Sequence, residues 1–296
     1  MIYSVVLANL TSRRKIASVD YWIHKVSTPQ LKRYLSTLAE MKKQSDRLKY
    51  KAAVIDDDFK FFSRECGDDH AVVFVTDVHE PDGDIVSKIN RVARSLRSTF
   101  TVESQKHVKK NILQIVDPFI QSRFVIALVG ESGVGKTSLL HLLMGKQPPE
   151  EHHPTIAINT EIIENIRFAN YEIMIFDFAG QEQSRKMWDF SSTNMIFLIT
   201  DSTLKNLIAT KGIMSQINKD YPNLPVIIFA NKQDLPNALD PSAISKIMGI
   251  DVESMVAVDL AYRNNLLSIL AKLFCGHFGL DVPDVSLEDL LIFNPE

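Results

Sequence analysis

Cysteine and long apolar runs are scarce in this chain of 296 residues. The two cysteines, Cys66 and Cys275, lie far apart with no metal-ligand partner at short spacing. They predict free thiols in a reducing compartment and exclude a disulfide scaffold. No run of about 18 apolar residues is present, so no membrane-spanning helix is expected. Signal-peptide, myristoyl and prenyl patterns are also absent. We therefore expect a cytoplasmic protein whose membrane attachment is peripheral, through a partner or a surface patch.

Composition and charge point to an ordinary globular protein. Hydrophobic residues make up 45% and charged residues 23% of the chain, which excludes disordered and fibrous classes. Residues 1–120 carry 20 Lys and Arg against 15 Asp and Glu, whereas residues 121–296 carry 13 against 21. Opposite net charges favour two domains that attract each other weakly, and two unrelated surfaces explain them equally well. We expect no nucleic-acid partner.

The second half alternates buried-strand runs with helical patterns. Strand runs are predicted at Phe124–Val129, Tyr171–Phe176, Met195–Thr200 and Val226–Ala230. Strands that alternate with helices predict an α/β domain, residues 121–296, with a mostly parallel sheet covered by helices on both faces. A strand over 161–168, a helix over 138–144 and a last helix over 265–277 complete the prediction.

The first half has a different rhythm, which predicts a smaller α/β domain over residues 1–120. Its order is strand, strand, helix, three strands and two helices. The strands are predicted at 2–10, 15–23, 51–55, 59–65 and 71–76, and the helices at 28–41, 83–99 and 102–119. The three aspartates at 56–58 fit a hairpin turn better than a metal site. Lys106, Lys109 and Lys110 fit a solvated helix face, with a basic patch as the alternative.

A phosphate-binding loop is predicted where the first strand of the second half ends, in the run from Gly130 to Thr137. Glycines allow successive backbone N–H groups to turn inward around phosphates at a helix N-terminus. Lys136 supplies an ammonium for the β- and γ-phosphates, and the Thr137 hydroxyl is a Mg²⁺ ligand. The residues expected to contact the phosphates are Gly130, Ser132, Gly133, Val134, Gly135, Lys136, Thr137 and Ser138.

Two later segments complete the phosphate and metal chemistry. Thr155, 19 residues after Lys136, is expected to add its hydroxyl to the Mg²⁺ shell. Asp177 ends a strand 22 residues further on and is expected to hold Mg²⁺ through water. The N–H of Gly180 can then reach the γ-phosphate, and Gln181 can orient the attacking water. The candidate catalytic residues are thus Gln181, Lys136 and Thr155.

A polar loop after the strand Val226–Ala230 predicts which nucleotide base the site binds. The carboxylate of Asp234 can accept from both the N1–H and the exocyclic amine of guanine, a pair that adenine does not present. Lys232 can lie over the ring, and Asn231 can tie the loop to the phosphate loop. Together these motifs predict GTP and GDP, with Mg²⁺, as the ligands.

These residues resemble an Arf-family small GTPase. The resemblance covers about residues 124–280 and rests on the runs 154–159, 177–182 with Trp188, and 229–238. Two departures are a Rab-like phosphate loop and Ala179 where Arf usually has glycine. The family's last guanine-contacting loop is expected near Asp259, with Leu260 and Ala261 as contacts. The resemblance implies a GTP-hydrolysing switch in membrane trafficking or docking, with an exchange factor, a GTPase-activating protein and effectors as partners.

The element order of residues 1–120 resembles a longin domain, and a roadblock-type domain is the alternative. Nothing in this half has catalytic spacing, so it is expected to bind partners or to regulate the second domain. A second hypothesis is a nucleotide-stabilised adaptor with little turnover, because the signal-recognition-particle receptor pairs a longin-like module with an Arf-like GTPase. Dimerisation through either domain is left open.

Overall fold

The computed structural model describes residues 1–44, 54–56, 58–148 and 166–293. The chain divides into two compact units, and each is described by itself. The first comprises residues 1–122 together with 169–171, and the second comprises residues 123–168 and 172–296. Within the described residues, no helix is long and apolar enough to cross a membrane.

The first unit is built on a five-stranded antiparallel sheet with the strand order β2-β1-β5-β4-β3. Its strands are β1 (Ile2–Asn9), β2 (Arg14–Asp20), β3 (Val54–Asp56), β4 (Phe59–Glu65) and β5 (His70–Thr76). Its helices are α1 (Thr28–Gln44), α2 (Asp82–Val102), α3 (Gln105–Lys110) and α4 (Ile112–Ile120). The predicted strand at 51–55 is described only from Val54 onward.

Both faces of this sheet are covered in part. On one face Tyr34 of α1 stacks on Phe61 of β4, with ring centroids 4.6 Å apart. The other face packs against α2, α3 and α4 in a core whose members include Leu7, Phe74 and Leu96. The first unit begins with a strand, and its antiparallel sheet and helices follow one another in an order that fits a longin-like unit.

The single helix predicted over 102–119 was wrong in its bounds. α2 continues to Val102, and α3 and α4 are separated at Asn111. Ser104 ends the intervening turn and begins α3, because its side-chain oxygen accepts a hydrogen bond from the N–H of His107 at 3.3 Å. The apolar stripe continues across the break, so the pattern alone does not reveal it.

The second unit has a seven-stranded sheet with the order β11-β10-β9-β6-β8-β7-β12. β6, β9, β10 and β11 are parallel neighbours. The strands are β6 (Ser122–Val129), β7 (Ile166–Phe168), β8 (Tyr171–Asp177), β9 (Met195–Thr200), β10 (Val226–Ala230), β11 (Val252–Ser254) and β12 (Leu291–Phe293). The helices are α5 (Lys136–Leu143), α6 (Leu204–Asp220), α7 (Pro241–Met248), α8 (Arg263–His277) and α9 (Leu287–Leu290). The prediction of a mostly parallel sheet flanked by helices is confirmed.

Two elements at the end of the chain were not predicted. α9 leads into β12, which pairs antiparallel with β7 through the register Leu291 to Phe168. The side chain of Leu291 is fully buried, and Phe293 lies under the guanidinium of Arg263 at 5.0 Å. The strand β11 was not predicted either, so the sheet is two strands wider than the sequence pattern indicated.

Candidate nucleotide-binding site

The phosphate loop connects the buried strand β6 to the N-terminus of α5. Gly130, Gly133 and Gly135 all have positive φ, at 146°, 79° and 98°. Such backbone conformations favour glycine. A side chain at Gly135 would also collide with the amide of Asn231, so the base loop packs directly on the phosphate loop. Ser132 is exposed at the loop tip, and Ser138 lies in the first turn of α5.

Lys136 is a buried cation at the start of α5, with 6% of its surface exposed. Its ammonium donates hydrogen bonds to the carbonyl oxygens of Gly130 at 3.3 Å and Glu131 at 2.9 Å. In the described part of the chain it forms no ion pair. Burial lowers the pKa of Lys136. An anion placed beside this ammonium would oppose that shift and stabilise the charged form.

A hydroxyl and a carboxylate meet next to this lysine. The Thr137 hydroxyl donates to Oδ2 of Asp177 at 2.7 Å, across 40 residues of sequence. Asp177 ends β8 and is 2% exposed. Both groups are oxygen ligands of the kind that Mg²⁺ prefers. The structure thus brings together two of the three predicted metal ligands, while the third, Thr155, lies outside the described residues. Within the described residues, no group of three or more acidic, histidine and cysteine side chains could hold a metal ion.

Gly180 lies against the backbone of the phosphate loop. A Cβ atom at this position would stand 2.5 Å from the carbonyl oxygen of Gly130, so only glycine allows the approach. Gln181 follows as an exposed residue that precedes a short 3₁₀ helix, Glu182–Met187. Trp188 holds the end of this segment, since its indole N–H donates to the carbonyl oxygen of Ala179 at 3.2 Å.

An ion pair between the phosphate loop and the segment after Gln181 was not predicted. Nη2 of Arg185 lies 3.0 Å from Oε1 of Glu131 and also donates to the carbonyl oxygen of Gly180 at 3.4 Å. The other carboxylate oxygen of Glu131 accepts from the Asn206 side chain at 2.9 Å. Glu131 thereby joins three parts of the second unit: the phosphate loop, the 3₁₀ segment and α6.

The base loop is fixed mainly by Asn231, which is 3% exposed. Its Nδ2 donates to the carbonyl oxygen of Val134 at 2.8 Å. Its backbone carbonyl accepts from the Ser202 hydroxyl at 2.6 Å. Lys232 has a positive φ of 61° and is partly buried, whereas Asp234 is exposed.

A loop after the strand β11 also contacts Asn231. The N–H of Ala257 donates to Oδ1 of Asn231 at 2.9 Å. Leu260 and Ala261 lie further along in a 3₁₀ turn, where the N–H of Ala261 donates to the carboxylate of Asp259 at 2.9 Å. Residues near Ala257 therefore lie beside the base loop, and the assignment of Leu260 and Ala261 to guanine stays a prediction. The small residue Ala257 lies three positions after the end of the short strand β11.

A buried strand, a glycine-rich loop and a helix in this order define a P-loop nucleotide-binding protein. The chain belongs to the ADP-ribosylation factor family, whose model matches residues 110–266. It is 30% identical over 137 residues to ADP-ribosylation factor-like protein 5 of Caenorhabditis elegans. The aligned residues cover 45% of this chain and 75% of that protein. It is 30% identical over 135 residues to ADP-ribosylation factor-like protein 10 of Mus musculus, covering 44% of this chain and 54% of that protein. The predicted resemblance to the Arf family is confirmed. The family match ends within α8, so α9 and β12 lie beyond it.

Proposed function

We propose that the chain is a GTP-binding and GTP-hydrolysing molecular switch that acts in membrane trafficking. The observation that carries this proposal is the 2.7 Å contact between Thr137 and Asp177 beside the buried ammonium of Lys136. Oxygen ligands for Mg²⁺ stand there next to a cation that an anion would stabilise. Membership of the ADP-ribosylation factor family supports the same conclusion, because its members bind GTP and GDP, generally with Mg²⁺.

Each predicted residue has a defined role in this proposal. Lys136 and the N–H groups of the phosphate loop hold the phosphates, and the oxygens of Thr137, Thr155 and Asp177 hold Mg²⁺, which neutralises phosphate charge when bound. Asn231, Lys232 and Asp234 select guanine. A γ-phosphate draws Thr155 and the N–H of Gly180 toward it, and hydrolysis releases both segments.

Gln181 orients the attacking water, and turnover without a partner is slow. The guanidinium of Arg185 is engaged by Glu131 and the Gly180 carbonyl oxygen, so it does not supply a second positive charge at the γ-phosphate. Intrinsic hydrolysis is therefore on the order of 10⁻⁴–10⁻² per second. A GTPase-activating protein, an exchange factor and effectors are the partners that such a switch needs. Peripheral membrane association on the cytoplasmic side would come through them.

The longin-like first unit binds partners or regulates the second unit in this proposal. Hydrogen exchange of residues 1–120 in the GDP and GTP-analogue states tests regulation. Equal protection in the two states would rule out coupling and leave partner binding alone.

Phosphate release from GTP by the full chain, with ATP as the control nucleotide, tests the switch. We expect release from GTP only, and a clear drop in Gln181→Leu. Gln216→Leu, on the exposed side of α6, is the matched control and should keep the wild-type rate. Equal rates in wild type and Gln181→Leu would remove Gln181 from the mechanism. Tight GTP binding with no release would favour the adaptor hypothesis instead.

A further inference from the structure

The strand β2 leaves one edge of the first unit's sheet open. It pairs with β1 on one side and with no other strand in the described part of the chain. Just after β2, the N–H of Tyr21 donates to the carbonyl oxygen of Tyr3 at 2.8 Å. Hydrogen-bonded and non-hydrogen-bonded pairs alternate along an antiparallel ladder. The backbone N–H and C=O groups of Ser18 and Asp20 therefore point away from β1, toward the open edge.

Two shallow hollows flank this edge, and both are lined by cations. One, of about 530 Å³, lies between α1 and the strands β1 and β2. The other, of about 550 Å³, lies between the start of β2 and α3. The cationic side chains that line one or both hollows are Arg13, Arg14, Lys15, Lys25, Lys32, Lys106 and Lys109.

Acidic side chains are rare around the same hollows. Among the residues that the structure describes, Asp20 is the only acidic one that lines either hollow, and its carboxylate is 3.0 Å from the ammonium of Lys25. The hollow beside α1 also has an apolar floor, because Leu31 and Leu35 are buried there. The edge thus combines open backbone groups, an excess of positive charge and a small apolar surface.

We propose that the open edge of β2 binds an extended acidic segment of a partner protein, which adds a strand to the sheet and places its carboxylates in the two basic hollows. Strand addition satisfies the open backbone groups and obtains specificity from side chains at alternate positions. Successive side chains of a strand point to opposite faces. Because both hollows are basic, carboxylates at neighbouring positions of the segment would each find cations.

An acidic peptide fits these observations better than an anionic membrane. The hollow beside α1 includes Ser4, Ser18 and Asp20, whereas the hollow beside α3 includes residues of the helices that cover the opposite face. A flat lipid surface cannot reach both faces of one strand at once, whereas an added strand does. The proposal assigns a class of partner to the binding role proposed for the first unit. Its test uses no GTP hydrolysis, so the two proposals can fail separately.

The experiment measures binding of the full chain to a fluorescent peptide of about eight residues, a typical strand length, made of glutamate, threonine and valine. A second peptide carries lysine in place of glutamate, and a third is N-methylated on alternate backbone nitrogens. We expect the acidic peptide to bind in a salt-dependent way. The lysine and N-methylated peptides should bind at least about tenfold more weakly.

Two kinds of variant separate charge from strand pairing. The double substitution Lys106→Glu with Lys109→Glu should weaken peptide binding at least about tenfold, whereas Lys219→Glu with Lys272→Glu makes the same charge change on the second unit and should change it less than about twofold. Ser18→Pro removes an N–H that faces the open edge, a position where an edge strand tolerates proline. It should also weaken binding, whereas Ser18→Ala should not. If Ser18→Pro does not fold, the N-methylated peptide tests the same hydrogen bonds.

Three outcomes would overturn the proposal. The first is no binding of the acidic peptide at about millimolar concentration, the weak end of specific affinities. The second is equal binding of the acidic and N-methylated peptides, which would show charge attraction without an added strand. The third is binding to phosphatidylserine vesicles that Lys106→Glu with Lys109→Glu abolishes, in a chain that binds no peptide. That result would assign the surface to a membrane.

Discussion

Asn231 ties the base loop to two other loops, and its replacement by alanine tests that arrangement. The side chain is 3% exposed. It donates to the carbonyl oxygen of Val134 at 2.8 Å and accepts from the N–H of Ala257 at 2.9 Å. Asn231→Ala removes both hydrogen bonds and leaves a buried carbonyl and a buried N–H without their partner.

The magnitude follows from these two groups. A buried polar group that loses its partner costs about 1–3 kcal/mol, so two such groups predict a loss of about 2–6 kcal/mol in the free energy of unfolding. Water that enters the space left by the side chain would move the value toward the lower end. Since domains are typically stable by about 5–15 kcal/mol, the effect is large enough to measure and can unfold the unit at elevated temperature.

Urea unfolding of the second unit is the assay, followed by the fluorescence of Trp188 in a Trp22→Phe background. Asn194→Ala is the matched control, because Asn194 is exposed and its Oδ1 accepts one N–H, that of Val125, at 2.8 Å. We expect the control to lose only about 0.5–1.5 kcal/mol, the net value of one hydrogen bond. Equal losses in Asn231→Ala and Asn194→Ala would refute the reasoning. Faster release of a fluorescent GDP by Asn231→Ala alone would link the same contacts to the nucleotide.

Three further predictions concern other contacts. Gly180→Ala should lower the affinity for a GTP analogue more than the affinity for GDP, because the alanine Cβ would stand 2.5 Å from a backbone oxygen of the phosphate loop. The control is Gly212→Ala on α6, where the new Cβ meets open space. It should leave both affinities unchanged and raise the free energy of unfolding by up to about 1 kcal/mol. Leu291→Ala should lower the free energy of unfolding by about 2–5 kcal/mol. Its neighbour Ile292 is half-exposed, so Ile292→Ala should lower it by less than about 1 kcal/mol. Equal losses would show that the Leu291 side chain of β12 is not packed in the core. Burial lowers the pKa of His70, so the neutral imidazole stabilises the fold above the unfolded pKa of about 6.5, and this stability is lost as the pH falls below that value. Between about pH 7.5 and 5.5, His70→Phe should therefore lose less of its free energy of unfolding in urea than the wild type does. Equal losses in the two proteins would contradict the sign.

Elements that follow a local pattern were predicted closely from the sequence. β9 and β10 have the predicted bounds, because each is a continuous apolar run between polar loops. β12 was missed because Leu291–Phe293 is too short to give a periodic signal, and only pairing with the distant strand β7 defines it. A strand that depends on a non-local partner cannot be recognised from its own residues.

In the candidate site, too, features with a local sequence pattern were predictable and contacts with distant residues were not. Lys136, Asp177 and Asn231 could be predicted as site residues because each belongs to a motif with fixed spacing and carries the side chain that the proposed chemistry needs. The contact between Ala257 and Asn231 was not predicted, since it uses a backbone N–H that any residue provides. A contact made by the main chain leaves only a preference for small size in the sequence.

The pair formed by Glu131 and Arg185 explains how this family member can carry an acidic residue in its phosphate loop. A carboxylate next to the phosphate positions would repel a nucleotide, since like charges at short range disfavour each other. The guanidinium of Arg185 lies 3.0 Å from that carboxylate, and the amide of Asn206 donates to its other oxygen. The negative charge is therefore partly neutralised by the same segment that carries Gln181. It follows that the position of this segment and the electrostatic potential at the phosphate loop are coupled: a movement of residues 182–187 that separates the pair would expose the carboxylate and weaken the hold on the phosphates.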